Sequence, residues 1–330
     1  MKVLASLIFS MMLISQAQAA TFKIATITPD GNSWMVAMRK AGKDIEKATE
    51  GRVKFKFYPG GVMGSDAVAM RKIRLGQLQG AAVTSGNISK FNPDVDIYSM
   101  PLKLRGYDEV DYLRERMDAD ILEKVETNGM VSFGLAEGGF AYIFSKQPIA
   151  SLADLKGKKI WIPQGDEAVL QAVQAFDISP IPLVLSDVLA GLQTGLIDTV
   201  ATSPIGAIAL QWHTQVKYMT DLPLLYLHAS LVIDKKRFNR ISKEDQATVR
   251  RIMGGTYVDI DKQNRIDNVS AYEALKKLGI EFVSPNEEQL AEWYDKARAS
   301  EAGIVEKGFV TQEGYKTLEQ HLSTLRDQPE

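Results

Sequence analysis

The sequence predicts two α/β domains, and three observations carry that reading. Apolar alternation of period two and apolar stripes of helical period follow one another along the chain, the pattern of βαβ units on a mostly parallel sheet. About 310 residues follow an N-terminal leader, more than one domain of ordinary size requires. One device also occurs twice: Ile73 to Gly76 leading through Val83 to Ser85, and Leu192 to Gly195 leading through Ala201 to Ser203. Each is a helix, a stopping glycine, a short strand and a small polar end. Helix-glycine-strand is common in any α/β protein, so chance is the competing account of that repeat.

In the first unit Phe22 to Ile27 alternates as a strand, and a helical stripe begins at Ser33 with Met35, Met38, Gly42, Ile45 and Ala48 before a stop at Gly51. Val53 to Tyr58 reads as the next strand, closed by Pro59-Gly60-Gly61. A helix from Ser65 to Gly76 and a short strand through Ala81-Ala82-Val83 complete the unit. The second unit reads as a strand over Leu155 to Pro163, helices over Asp166 to Phe176 and Asp187 to Gly195, and a strand at Thr199 to Thr202. From Ser242 the pattern is mainly helical. A stretch from Glu244 to Leu278 exceeds ordinary globular helices and is expected to span both domains; a strand at Ile280 to Val283 and helices over Glu287 to Ala302 and Gly314 to Leu325 follow, packed on the outside.

Lys2, the apolar run Val3 to Ile14 and the pattern Ala17-Gln18-Ala19 form a secretory signal peptide, with the mature chain expected to begin at Ala20. The run is too short to span a bilayer. With no cysteine, neither disulfide staples nor a lipid-anchored N-terminal cysteine is available. Removing Lys2, the one charge in the leader, leaves 38 basic residues against 41 acidic, and a net charge of −3 attracts no nucleic acid.

Catalytic patterns are missing. His213, His228 and His321 have no partner at metal-ligand spacing, and no zincin, P-loop or nucleophile-elbow motif occurs. Asp94 and Asp96, after Asn92-Pro93, read as a solvated face rather than as paired catalytic carboxylates. Gly60 to Gly64 reads as a turn. Ligands of open α/β sheets sit beyond the carboxyl ends of strands, which selects Thr28, Thr84, Ser85 and Asn87 in the first unit and Gln164, Thr202 and Ser203 in the second. Helix capping is the alternative for each of them. Neither a cofactor nor a metal is implied.

The segments Tyr58 to Ser65, Leu75 to Leu78, Ser151 to Ile160 with Ile162-Pro163, and Ala190 to Asp198 resemble the solute receptors of TRAP (tripartite ATP-independent periplasmic) transporters, of the dicarboxylate-receptor type. The resemblance covers nearly the whole mature chain. It implies a periplasmic, two-domain flytrap fold with a long spanning helix and a ligand cleft between residues 20–139 plus 229–268 and residues 140–228 plus 269–330. It also implies crossings near Gly139 and Ala229, delivery of a small organic solute to the TRAP membrane permease subunits, a monomer, and no catalysis. A receptor for an ABC importer or a sensor, and a metal-free periplasmic enzyme, are the other readings.

The family's carboxylate-clamping arginine falls on Trp161, and two further arginine positions of acid-binding members fall on Ala141 and Asn87. Ser203 replaces a family asparagine. Phe140, Tyr142 and Glu137 are expected to form an aromatic wall with one acid beside Trp161. Trp161 is expected to face the ligand, with Ile160 and Ile162 on the opposite side, or else to fill the core of its strand. The solute then carries an aromatic or apolar part, and any carboxylate is met by Gln164 and the amides near Asp166.

Overall fold

A computed structural model describes residues 19–327. The signal-peptide reading rests on residues 1–18, outside the described residues. The first unit forms as the periodicity predicts: β1 (Ala20–Thr26), α1 (Ser33–Ala48), β2 (Val53–Tyr58), α2 (Asp66–Arg74) and β3 (Gly80–Thr84). β1 pairs in parallel with both β2 and β3. Asn32 starts α1 by accepting the Met35 N–H at 2.8 Å. The helix buries Met35, Met38, Ala41 and Ile45 with Phe22 and Ile24 of β1; each large apolar side chain so buried stabilises by roughly 1.5–3 kcal/mol.

Next come α3 (Ser85–Ile88), a buried turn at Pro93–Ser99, α4 (Tyr107–Thr127) and β4 (Met130–Ser132). β5 (Ala136–Ser145) then leads to β6 (Trp161–Pro163), α5 (Glu167–Gln174), β7 (Ile181–Leu183), α6 (Val188–Thr194) and β8 (Thr199–Thr202). The strand expected over Leu155 to Pro163 is only three residues long. A single turn occupies Leu152–Leu155, where the Asp154 carboxylate accepts the N–H groups of Ala150 and Ser151, and Gly157 follows with φ +75°. α6 ends on Gly195 in the left-handed conformation, as the glycine stop predicts.

The chain continues through α7 (Pro204–Ala209), β9 (Tyr218–Asp234), α8 (Lys235–Phe238), α9 (Lys243–Lys277), β10 (Glu281–Val283), α10 (Glu287–Glu306) and α11 (Gln312–Arg326). β9 is shared by both halves. Its end pairs with β3 and β4 and its start with β10, while antiparallel β5 runs alongside, giving the order β2-β1-β3-β9-β5-β8. β5 carries irregularities between Glu137 and Gly139 and between Ala141 and Ile143. The 35-residue α9 packs on α1, β5 and α7, so one helix touches elements of both units.

α10 packs on α5, whereas α11 lies on α4 and the Pro93–Ser99 turn. That contact is specific: Asp94 accepts the Thr311 N–H at 2.8 Å and its hydroxyl at 2.9 Å, and Arg326 pairs with Glu109 at 2.8 Å. Asp94 is therefore buried structure. The solvated face expected for Asp94 and Asp96 is not found, because the turn after Pro93 folds under α4 and α11 and leaves the two residues 2% and 7% exposed.

Candidate functional site

A cavity of about 500 Å³ opens where the strand ends of the two units meet. From the first unit it takes Thr28, Thr84 and Ser85, with Asn32 and Trp34 from the start of α1; from the second it takes Trp161, Thr202 and Ser203. Aliphatic side chains of β5 and β9, among them Ile143, Leu225 and Leu227, make the floor. The two sides approach closely: a β-carbon placed on Gly86 of α3 would stand 2.5 Å from Oδ2 of Asp166, the residue that opens α5.

Seven of the eleven residues singled out from sequence line this cavity: Thr28, Thr84, Ser85, Glu137, Trp161, Thr202 and Ser203. Of these, Ser203 also caps α7, its hydroxyl accepting the Gly206 N–H at 3.4 Å. Glu137 lines the space without presenting its acid. The carboxylate is fully buried, receiving Arg265 Nε at 3.0 Å, Arg265 Nη2 at 2.9 Å and the Tyr226 hydroxyl at 3.1 Å.

The remaining four lie elsewhere. Phe140 and Tyr142 do not form the expected wall, because successive residues of a strand face opposite sides and here Ala141 and Ile143 take the cavity side. Phe140 is buried against Tyr107 and Tyr226, at ring distances of 5.2 and 5.7 Å, and Tyr142 meets Tyr272. Gln164 has an exposed side chain, and its N–H continues the β6–β7 ladder to the Leu183 carbonyl at 3.1 Å. Asn87 sits half-buried on α3, its amide 3.4 Å from the Thr84 hydroxyl.

Trp161 is 8% exposed and does two things at once. Its indole packs edge-on against Trp212 at 5.2 Å and donates to the Leu183 carbonyl at 3.0 Å, while it still lines the cavity. Ile160 packs in a cluster with Leu155 and Trp293, but Ile160 and Ile162 also line the cavity beside Trp161, so the expected placing of the two isoleucines on the side away from the ligand is not found: the three-residue β6 exposes both its faces to the cavity. Trp161 and Ala141, two of the three positions where the resemblance leads us to expect an arginine in the family, line the cavity as apolar wall.

Asp96, read from the sequence as solvated, and Asp166 both line the cavity. Asp96 lines the cavity with an Oδ2 that has no hydrogen-bond partner. Burial, then the neighbouring charge of Asp166, raise its pKa to about 7, against the pull of the Ser85 and Ser89 hydroxyls. Asp166 is raised chiefly by burial, and its Oδ1 accepts the Val169 N–H at 3.0 Å. That carboxylate occupies the helix start where Gln164 and the amides were expected to meet a ligand anion. His228, also lining the cavity, lies between Tyr98 and Tyr226, and burial, with Arg114 nearby, depresses its pKa to about 3. No group of residues that could hold a metal ion occurs among the described residues.

A ligand-sized cavity between two α/β units, floored by strands common to both and backed by one long helix, defines a flytrap-type solute receptor. The chain belongs to the bacterial extracellular solute-binding proteins of family 7, whose sequence pattern matches residues 24–307. It is a periplasmic solute receptor of the TRAP type. The 2,3-diketo-L-gulonate-binding periplasmic protein YiaO of Escherichia coli is 24% identical over 282 residues, 82% of this chain and 83% of that one. YiiZ of Salmonella typhimurium is 26% identical over 210 residues, 60% of this chain and 63% of that protein. A TRAP solute-binding protein of Pseudomonas putida F1, solved with bound D-glucuronate, superposes with a TM-score of 0.81 at 26% identity, over 94% of this chain and 98% of that one.

Proposed function

We propose that the chain captures one small organic solute with an apolar part in the cavity between its lobes and hands it to the TRAP membrane permease. The observation that carries this is the composition of the cavity, whose walls come from both units and whose floor is the pair of strands β5 and β9 joining them. Closure about those strands encloses the solute and changes the outer surface, which is the signal a permease reads. In this reading residues 20–139 with 229–268 are one lobe and 140–228 with 269–330 the other, and α11 of the second packs on α4 of the first. The protein works as a monomer, without catalysis, and is exported with cleavage after Ala19. Mass spectrometry of the periplasmic protein should find Ala20 at its N-terminus, and Met1 in the mature pool would refute export by cleavage.

Hinge closure is tested by solution scattering with and without a bound solute. The radius of gyration should fall on saturation, and saturable binding with no change of shape would remove the hinge from this reading. The second test concerns Trp161. If it shields about 60–100 Å² of apolar solute surface, it contributes roughly 2 kcal/mol, about thirtyfold in affinity. Trp161→Leu keeps an apolar side chain in the core with Trp212, so calorimetry on the folded variant should find that weakening. Unchanged affinity would assign Trp161 to the core alone.

The solutes of two related proteins, D-glucuronate and 2,3-diketo-L-gulonate, are small organic acids and set the size class for this chain. Their charge is a separate matter, because neither Lys nor Arg lines the cavity among the described residues.

A further inference from the structure

Every charged side chain that lines the cavity is acidic: Asp66, Asp96, Glu137 and Asp166. Two of the four are satisfied within the protein. Asp66 Oδ2 accepts the N–H and the hydroxyl of Thr84 at 3.0 and 3.2 Å, and Glu137 is paired with Arg265. Asp166 commits Oδ1 to the start of α5, while its Oδ2 faces Gly86 across the cleft. Asp96 is 7% exposed with an unpartnered Oδ2.

A buried acceptor without a donor costs on the order of 1–3 kcal/mol, more when it is charged, and native structures leave few such groups. Two adjoining acids with one oxygen unpaired constitute a place that lacks a cation carrying N–H donors. A carboxylate entering the same space would meet like charge with no Lys or Arg in the described lining to offset it, since burial keeps His228, whose two ring nitrogens are unpartnered, uncharged; like-charge juxtaposition in a desolvated site costs several kcal/mol. Trp161 and Ala141 line the same cavity, so its apolar surface lies together with the unpaired acid.

We propose that the solute is a small organic cation, whose ammonium group is received by Asp96 with Asp166 at its flank and whose apolar body lies toward Trp161. The proposal rests on reading the chain as a solute receptor. The cation replaces water-borne hydrogen bonds with charge-assisted ones to Asp96 Oδ2, and its arrival supplies the donor that the folded protein lacks. An ammonium bridging Asp96 on the first unit and Asp166 on the second also ties the two sides of the cleft together.

The test uses the mature protein at pH 8 and two matched panels, each with and without hydroxyl substituents. One is of primary amines from ethylamine to 2-phenylethylamine, the other of carboxylates from propionate to 3-phenylpropionate. Thermal shift finds binders and calorimetry measures them. At least one amine should raise the melting temperature and bind one per chain, and no carboxylate should. Asp96→Asn should weaken that amine by about thirtyfold or more. Asp166→Asn, which retains a good helix cap, should weaken it less and guards against a folding artefact. Carboxylate binding with no amine binding would overturn the cation and leave the receptor reading intact. Amine binding that survives Asp96→Asn in folded protein would overturn the site. If neither panel binds, the cation proposal falls, and the receptor reading, which rests on the family pattern and the two-sided cavity, stands.

Discussion

At pH 8 the solute-free Asp96→Asn variant should be more stable than the parent protein. Asp96 is buried with an unpartnered oxygen, and its carboxyl titrates at about 7 in the folded chain against an ordinary value of 3.8. A group held less acidic in the folded state than in the unfolded one costs stability once pH exceeds both values. The cost is about 1.4 kcal/mol per unit of difference, or up to about 4 kcal/mol for this group. Asparagine removes the charge while keeping the shape, and burial of its own amide reduces the gain. As pH falls from 7 toward 4 the folded carboxyl takes its proton while the unfolded one stays ionised, so the parent recovers and the advantage of the variant shrinks.

His228 acts with the opposite sign. Its folded value of about 3 lies below the ordinary 6.5, so the unfolded chain binds the proton first and stability is lost as pH falls from 6.5 to 3. Between pH 4 and 6.5 the two groups offset each other in the parent. In the variant the His228 loss stands alone, at about 1.4 kcal/mol per pH unit. Denaturant melts of both proteins at pH 8 and pH 5 measure this. A variant no more stable than the parent at pH 8, or one with the same advantage at both pH values, would show that Asp96 is solvated. The stability that asparagine returns is what a binding site gives up by keeping an unpaired acid ready.

The parts of this molecule legible in its sequence are those whose burial is local and periodic. β1 through β3 keep one face toward α1 or α2, and their predicted and observed bounds agree within a few residues. α9 was expected over Glu244 to Leu278 and runs Lys243–Lys277, capped by Ser242 accepting the Asp245 N–H at 3.0 Å. α4 was not assigned, although Val110, Leu113, Met117, Ile121 and Val125 make a buried stripe at helical spacing. β9 and β5 escaped for a different reason. β9 changes partners along its length and loses clean alternation between Leu222 and Tyr226, and β5 slips register twice. Alternation with Ala141 and Ile143 on the cavity side turns Phe140 and Tyr142 away from the site. The burial of Asp96 could not be read by pattern, because α3, α4, β9 and α11, drawn from separate parts of the chain, pack on its turn.

The register slip in β5 is held in place by α9, and breaking that hold is expected to cost more than any other single surface-reaching change. The Glu137 N–H donates to Asp261 at 2.7 Å, the Asn264 amide reaches the Glu137 carbonyl, and the Asn268 amide reaches the Gly138 carbonyl at 3.3 Å. Gly139 follows with φ +83°, and a β-carbon there would stand 2.6 Å from that Asn268 nitrogen. Arg265, 30% exposed and stacked over the Tyr107 ring at 4.6 Å, supplies the charge that allows Glu137 to be fully buried. Burial raises the Glu137 pKa, and Arg265 opposes that rise. Arg265→Met keeps the packing on Tyr107 and removes the charge, leaving a buried carboxylate without its base; such losses run to about 3–5 kcal/mol. Because the raised group can take up a proton, the penalty should be largest at pH 8 and shrink as pH falls toward the ordinary carboxyl range. Adding Glu137→Gln removes the stranded charge, so the double variant should regain much of the loss at pH 8. Chemical denaturation of the two single variants and the double variant at pH 8 and pH 5 gives the coupling directly. A loss below about 1 kcal/mol for Arg265→Met would place Glu137 in contact with water, and a double variant no better than the single would mean that Arg265 supports β5 by packing rather than by charge.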